Sequence, residues 1–296
     1  MSMSNGISIR SRFKTGKPMF SVEFFPPKDE AGGRRMLQTA KVIEPYNPDF
    51  VSITYGAGGG TRETTMRFAR LLKEEHGFEV MPHLTCVGHT RDELLEILEE
   101  FADLGFRNIM ALRGDPPSGE TSFSPVVNGF SYASDLVELI RANFPDFGIG
   151  VGGYPEKHPE AADFHSDLNN LRTKVDAGAD FITTQLFFDN KAYFDFVRNS
   201  RNAGISIPIL PGLLPVLSIS QVKRFCKMCE ASLPSDLEQA LEKSEEKSHP
   251  EVGAMWALQQ VKELLDSGCP GFHLYALNKS QSTLTILEGL TQRLRN

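Results

Sequence analysis

The sequence predicts an α/β fold, a (β/α)8 TIM barrel, and three observations predict it. Short apolar runs of strand character recur along the chain. Amphipathic segments of helical length fill the gaps between them. Each apolar run stops at a small cluster of polar, Gly or Pro residues, which puts the chemistry at the C-terminal ends of parallel strands.

Taken in order, Phe20-Ser21-Val22 runs into Glu23-Phe24-Phe25-Pro26-Pro27, and Phe50-Val51-Ser52-Ile53 into Thr54-Tyr55-Gly56. Ile109-Met110-Ala111-Leu112 ends in Arg113-Gly114-Asp115-Pro116-Pro117, and Phe181-Ile182-Thr183-Thr184 ends in Gln185. Eight strands follow, at 18–24, 48–54, 78–86, 106–112, 147–153, 179–186, 206–211 and 271–276. Helices are expected at 29–44, 61–76, 90–104, 131–143, 166–177, 190–202, 218–231 and 280–294. Thr90-x-x-Glu93 and Ser218-x-x-Gln221 read as capping boxes that start two of them. Near-continuous apolar strands joined by short gaps favour parallel pairing under a coat of helices. Residues 235–267 form an additional helical stretch before the last strand, its acidic run (Glu238, Glu242, Glu245, Glu246) a solvated face. Residues 116–131, rich in Pro, Ser and Gly, make a long loop of the kind that carries function.

The chain divides into a polar N-terminal segment, 1–17, and a single barrel domain, 18–296; barrels of roughly 250 residues are one domain. With 40% hydrophobic residues there is enough apolar chain for a large core, and no apolar run approaches the roughly 20 residues of a membrane span. Residues 1–17 lack an apolar h-region, so the expected compartment is the cytoplasm. A net charge of −7 argues against a nucleic-acid partner, while a few local cations still suffice for an anionic ligand. Cys226-Lys227-Met228-Cys229 has redox spacing but falls in a helical pattern with no second pair, and all four cysteines read as reduced thiols.

Several residues could carry chemistry. Glu23 has apolar neighbours along its strand, so desolvation should raise its pKa and suit it to general acid work; a structural ion pair is the alternative. Arg113-Gly114-Asp115 joins a cation that could hold a phosphate or carboxylate to an anion that could face a developing cation; a local ion pair is the competing reading. Gly56-Ala57-Gly58-Gly59-Gly60-Thr61 lacks a complete phosphate-loop pattern and reads as a flexible turn. Residues 148–155 form a Gly-rich strand whose backbone a ligand could approach. His83 reads by type as a core histidine, and Gln185 as a buried amide or a partner for a heterocycle edge. No histidine spacing suits a metal.

Seven motifs in series, Val22-Glu23-Phe24-Phe25-Pro26-Pro27, Ser52-Ile53-Thr54-Tyr55-Gly56, His83-Leu84-Thr85-Cys86, Leu112-Arg113-Gly114-Asp115, Tyr154-Pro155-Glu156, Gln185-Leu186-Phe187-Phe188-Asp189 and Pro211-Gly212-Leu213-Leu214-Pro215, closely resemble methylenetetrahydrofolate reductase. The likeness runs from about Phe20 to the C-terminus. It implies FAD at the C-terminal ends of the strands and two half-reactions at one flavin. Reduced nicotinamide, NADH or NADPH, supplies a hydride, and 5,10-methylenetetrahydrofolate receives it as 5-methyltetrahydrofolate, a step of one-carbon metabolism and methionine biosynthesis. The short form leans toward NADH.

By the same resemblance Glu23 would protonate N10 of the folate, and Asp115 would favour the cationic iminium at N5. Gln185, Tyr275 and Lys279 would bind substrate. Thr54, His83, Arg113, Gly114 and Asp115 fall at flavin-contacting positions, and Tyr154, His158, Asp167, Asn170 and Lys174 in the stretch that holds the ribityl, diphosphate and adenosine portions. Lys279 stands where Arg is common, which would weaken the grip on the glutamate tail, since Lys is a point charge and Arg a fork. Thr173 stands where basic residues are common in the adenosine-binding stretch. Ending just after the barrel, the chain is expected to lack a regulatory domain and inhibition by S-adenosylmethionine, and related short enzymes imply a homo-oligomer. Two other readings are another flavin barrel, such as a proline dehydrogenase-like oxidase, and a folate- or flavin-binding subunit dependent on a partner for electrons.

Overall fold

The computed structural model of the chain describes residues 7–55, 62–116, 119–120 and 122–294. The Gly56–Thr61 turn and Pro117 lie outside the described residues. A short helix, α1 (Ile9–Arg12), precedes the first strand. The strands are β1 (Met19–Phe24), β2 (Phe50–Ile53), β3 (Val80–Thr85), β4 (Asn108–Leu112), β5 (Gly148–Gly153), β6 (Phe181–Thr184), β7 (Ile209–Leu210), β8 (Gly212–Leu213) and β9 (Gly271–Tyr275). All pair in parallel, in the order β7-β6-β5-β4-β3-β2-β1-β9-β8.

The two ends of this sheet, β7 and β8, are consecutive in the chain and separated only by Pro211. Together they are the barrel's seventh strand, and the ring closes through them. The expected strand at 206–211 thus starts later and runs further, because proline has no N–H to give to the ladder. The Pro211 carbonyl still accepts from His273 N at 2.8 Å, and Gly212 N turns to the Thr184 hydroxyl at 2.9 Å. A Cβ on Gly212 would collide with the Thr184 carbonyl oxygen and the Tyr275 hydroxyl, so only glycine fits this seam.

Among the described residues ten further α-helices surround the sheet: α2 (Glu30–Ile43), α3 (Arg62–His76), α4 (Arg91–Asp103), α5 (Ala133–Asn143), α6 (Phe164–Asp176), α7 (Asn190–Asn202), α8 (Ile219–Cys229), α9 (Ser235–Lys243), α10 (His249–Asp266) and α11 (Ser280–Leu294). Thr90 and Glu93 form the expected reciprocal cap of α4. The Ser218 box is only half formed: its hydroxyl accepts from Gln221 N, but the Gln221 side chain accepts from Leu217 N, one residue earlier. Asp163 and Ser166 cap α6 reciprocally, which starts that helix two residues before its expected first turn. The extra stretch is α9 and α10, and its acidic face is partly paired, with Lys223 of α8 2.6 Å from Glu238. Such exposed pairs contribute on the order of 1 kcal/mol or less. Among the described residues no helix is long and apolar enough to cross a membrane.

Strand side chains alternate between two layers. On β1, Phe20, Val22 and Phe24 pack under the helices, while Met19, Ser21 and Glu23 point into the barrel. The lower interior is apolar: Met19, Phe50, Met81, Met110, Phe181 and Leu210 pack together, with Ile9 of α1 inserted fully buried among them. The upper interior is polar.

Candidate active site

Four strands bring their inward side chains together on one carboxylate oxygen. Glu23 Oε2 lies 3.2 Å from the Ser52 hydroxyl, 3.2 Å from His83 Nε2 and 3.3 Å from His273 Nε2. Burial pushes the Glu23 carboxyl up, but the charge of His83 and the contacts with both imidazoles outweigh it and hold it down at about 2. This corrects the raised pKa expected from the strand sequence. The apolar neighbours Val22 and Phe24 face the helices, whereas the groups that Glu23 meets come from other strands.

The two imidazoles are not equivalent. His273 is fully buried, aligned for a hydrogen bond to Glu23, and placed with Nδ1 2.7 Å from the Ser21 hydroxyl. Phe50 stacks on its ring at 6.0 Å and Tyr275 meets it edge-on at 5.2 Å. His83 is close enough to Glu23 for charge attraction, yet its Nε2 is misaligned and has no hydrogen-bond partner. The Thr85 and Thr183 hydroxyls, also buried, lack partners too. Buried polar atoms are ordinarily satisfied, so three orphans in the barrel suit a ligand that supplies the missing partners. Gly152 of β5 leaves room beside them, since a Cβ there would touch only Leu112, at 3.7 Å.

A second cluster lies on the rim. Arg113 grips Glu160 with two parallel bonds of 2.6 and 2.7 Å and stands over the Phe123 ring at 4.9 Å. The local Arg113–Asp115 ion pair weighed from sequence is therefore not the arrangement formed; Asp115 is exposed and acts on Arg113 only through its field. Gly114 adopts φ +89°, and a Cβ there would press on Val87, so this turn requires glycine. Tyr154 meets His158 edge-on at 4.5 Å, and His158 N donates to Asp167 at 3.0 Å. Burial pushes the Tyr154 phenol far up and keeps it protonated. Lys174 donates to the Gly152 carbonyl at 2.5 Å, and burial lowers its ammonium to about 8 although Asp167 opposes the shift. That is a cation held without a full counter-charge.

The remaining expected residues are more loosely held. Gln185 is half-buried, its side-chain oxygen accepting from Leu186 N at 2.9 Å. Tyr275 donates to the Thr184 carbonyl at 2.5 Å, beside the Gly212 seam. Thr54 is half-buried at the end of β2, while Asn170 and Lys279 are exposed. Sequence reading gave no role to Ser21, Ser52, Thr85, Thr183 or His273. The signal for His273 was available: like Glu23, it is a polar residue at an inward position of an apolar strand, Phe272-His273-Leu274. Cys226 and Cys229 are free thiols on α8, and burial raises both to about 11, which leaves them unreactive as nucleophiles near neutral pH.

The sequence profile described as Methylenetetrahydrofolate reductase matches residues 8–291, nearly the whole barrel. The chain belongs to the methylenetetrahydrofolate reductase family. Among relatives of this family, the 5,10-methylenetetrahydrofolate reductase of Salmonella typhimurium is 40% identical over 280 residues, covering 94% of this chain and 92% of that one. That of Escherichia coli is 39% identical over the same coverage. The Methylenetetrahydrofolate reductase (NADH) 1 of Arabidopsis thaliana is 38% identical over 95% of this chain, but this chain spans only 50% of its length. Among solved structures, an uncharacterized protein from Clostridium thermocellum that binds two copies of 5-methyl-5,6,7,8-tetrahydrofolic acid superposes with TM-score 0.62 at 16% identity, over 97% of this chain and 100% of that one. Oxaloacetate acetylhydrolase superposes with TM-score 0.55 at 9% identity, over 99% and 86%. At these identities the two superpositions speak for the barrel alone.

Proposed function

We propose that this protein reduces 5,10-methylenetetrahydrofolate to 5-methyltetrahydrofolate with FAD as cofactor and NADH or NADPH as electron donor, in the cytoplasm and within one barrel domain. The observation that carries the reading is a buried carboxylate at the barrel mouth, in a chain of this family whose inward strand positions also hold unpartnered buried polar atoms. FAD, when bound, would supply hydride transfer between the two substrates at a single site.

The residues present fit such a group. His83 Nε2 and the Thr85 and Thr183 hydroxyls offer polar partners inside the mouth, and the side-chain-free Gly152 leaves space for a flat ring. Tyr154, His158, Asp167 and Asn170 would line the course of the rest of the cofactor. Lys174 would answer a phosphate charge, and Arg113 would do so by exchanging Glu160 for it. Thr54 and Gly114 complete the flavin side.

For the folate, Gln185 would bond the edge of the pterin with the amide group that is not engaged with Leu186 N. Tyr275 would flank it, and Lys279, exposed at the rim, would meet its carboxylate tail. Ring opening needs a proton on the leaving nitrogen and leaves a cation on the other. Glu23 would deliver the proton, and Asp115, exposed near the mouth, would favour the cation through its field. Mixing the purified yellow protein anaerobically with NADH, and separately with NADPH, tests the reading. Bleaching followed by recovery of colour on adding methylenetetrahydrofolate is expected; bleaching without recovery would point to another acceptor.

A further inference from the structure

The proposed chemistry leaves one question that the geometry answers. Glu23 must hand over a proton, yet its surroundings keep it a carboxylate. We infer that His273, with the Ser21 hydroxyl behind it, is the internal store of the proton that Glu23 delivers. The inference rests on the folate-reductase reading above and adds two residues to it.

Three observations support this assignment. His273 Nε2 is the aligned hydrogen-bond partner of Glu23 Oε2 at 3.3 Å, whereas His83, at a similar distance, is misaligned. His273 is also fully buried, so its proton is reached through Glu23 rather than directly from solvent. Finally, the group on Nδ1 is a hydroxyl at 2.7 Å. A hydroxyl both donates and accepts. When the ring is doubly protonated, Nδ1–H donates to Ser21; once the Nε2 proton has gone to Glu23, the same Nδ1–H bond to Ser21 remains and Nε2 is free to take a proton back. Nδ1 thus keeps its acceptor in both states, and only Nε2 exchanges a proton with Glu23.

Of the other groups around Glu23 and the ring, His83 is the one that could also hold a proton, but its Nε2 is not aligned to pass one to Glu23. From β2 come the Phe50 ring and the Ser52 hydroxyl, and from β3 comes His83. On β9 itself, Tyr275 is held protonated by burial, its phenol pushed well above the ordinary value.

The transfer balances without an added reagent. The Nε2–H bond of doubly protonated His273 breaks and its proton passes to the Glu23 carboxylate. The Glu23 carboxyl passes a proton to the leaving nitrogen of the folate as the carbon–nitrogen bond opens. His273 is left neutral with its remaining proton on Nδ1, still donated to Ser21, and with Nε2 bare toward Glu23; solvent restores one proton through Glu23 before the next turnover. No electrons move in these steps. His273 therefore acts through Glu23, as a positioning and proton-holding residue rather than one that touches substrate.

The test uses the flavin-loaded enzyme and reads the folate half-reaction by stopped flow as a function of pH. His273→Gln keeps an N–H donor toward Glu23 but cannot hold a transferable proton. It is expected to slow the folate half-reaction about 100-fold at neutral pH, at the low end of what general acid–base catalysis contributes. Ser21→Ala is expected to move the fall in rate with rising pH about one unit lower, and Ser21→Thr, which restores the hydroxyl, to move it back. A His273→Gln rate within about threefold of wild type, or superimposable profiles for Ser21→Ala and wild type, would overturn the inference. If His273→Gln does not fold, the Ser21 pair decides alone. If wild-type enzyme gives no folate-dependent recovery of colour, the proposed function fails instead. The store is then read by nuclear magnetic resonance of ¹⁵N-histidine: His273 losing its second proton at lower pH in Glu23→Gln and Ser21→Ala than in wild type supports it, and unchanged behaviour in both variants refutes it.

Discussion

The floor and the mouth of this barrel are built from the same strands and solve opposite problems. At the floor three acidic side chains each hold a backbone N–H. Asp49 accepts from Phe20 N at 2.9 Å, Glu79 from Ile7 N at 2.9 Å, and Asp180 from Ile149 N at 2.9 Å. Asn108 accepts from Ile9 N at 2.8 Å and donates to Glu79 at 2.8 Å, so the first described residues are tied across the barrel base. At the mouth three buried polar atoms lack partners, against Ser8 Oγ at the floor, and three non-glycine residues take left-handed backbone, Leu277 at φ 49°, Asn278 at 55° and Lys157 at 91°, against Asn47 at the floor. A bulky residue such as Leu277 in the left-handed region costs on the order of 1 kcal/mol or more. The floor spends its polar groups on stability, and the mouth withholds them for a ligand.

The comparison breaks most visibly at Glu23. Glu23→Gln keeps size and packing but removes the acid, and it is expected to slow the folate half-reaction at least 100-fold while the nicotinamide still reduces the flavin. Stopped-flow traces of the two half-reactions check this; loss of both would make Glu23 a structural residue like those of the floor. The reciprocal test is Ile9→Ala. Removing this fully buried side chain should cost about 2–5 kcal/mol of stability, read by urea unfolding, with the folate half-reaction rate unchanged in the protein that stays folded.

The mouth's under-paired cation sharpens the contrast through pH. Lys174, lowered to about 8, is charged below that pH and loses its proton above it. An anionic ligand needs the charged form, so flavin affinity should fall as pH rises past about 8, by up to tenfold per unit. Fluorescence titrations at pH 7, 8 and 9 test this, and Lys174→Met should abolish the slope. The smallest effect is expected at Glu160, which occupies the Arg113 fork from an exposed position. Glu160→Gln should tighten flavin binding by about fivefold or less, the scale of an exposed ion pair. Weaker binding in that variant would mean that Glu160 orients Arg113 for the cofactor instead of competing with it.

Much of this molecule was legible in its sequence. The alternation of apolar runs and amphipathic segments determined the barrel and most helix limits, because period and caps are local properties: α7 and α11 fall on their expected residues, and Thr90 starts α4 as its box requires. Polar residues at strand ends marked Glu23 and Asp115 as candidates. Only the tertiary structure decided how the barrel closes, through a strand split at Pro211, and what each candidate meets. Glu23 is charged because His83 and His273 reach it from β3 and β9, and Arg113 turns to Glu160 rather than to nearby Asp115. Hydrophobic pattern and helix capping act over a few residues and are written along the chain. Electrostatics acts through space, and in a closed barrel the nearest charges come from strands as many as 250 residues apart.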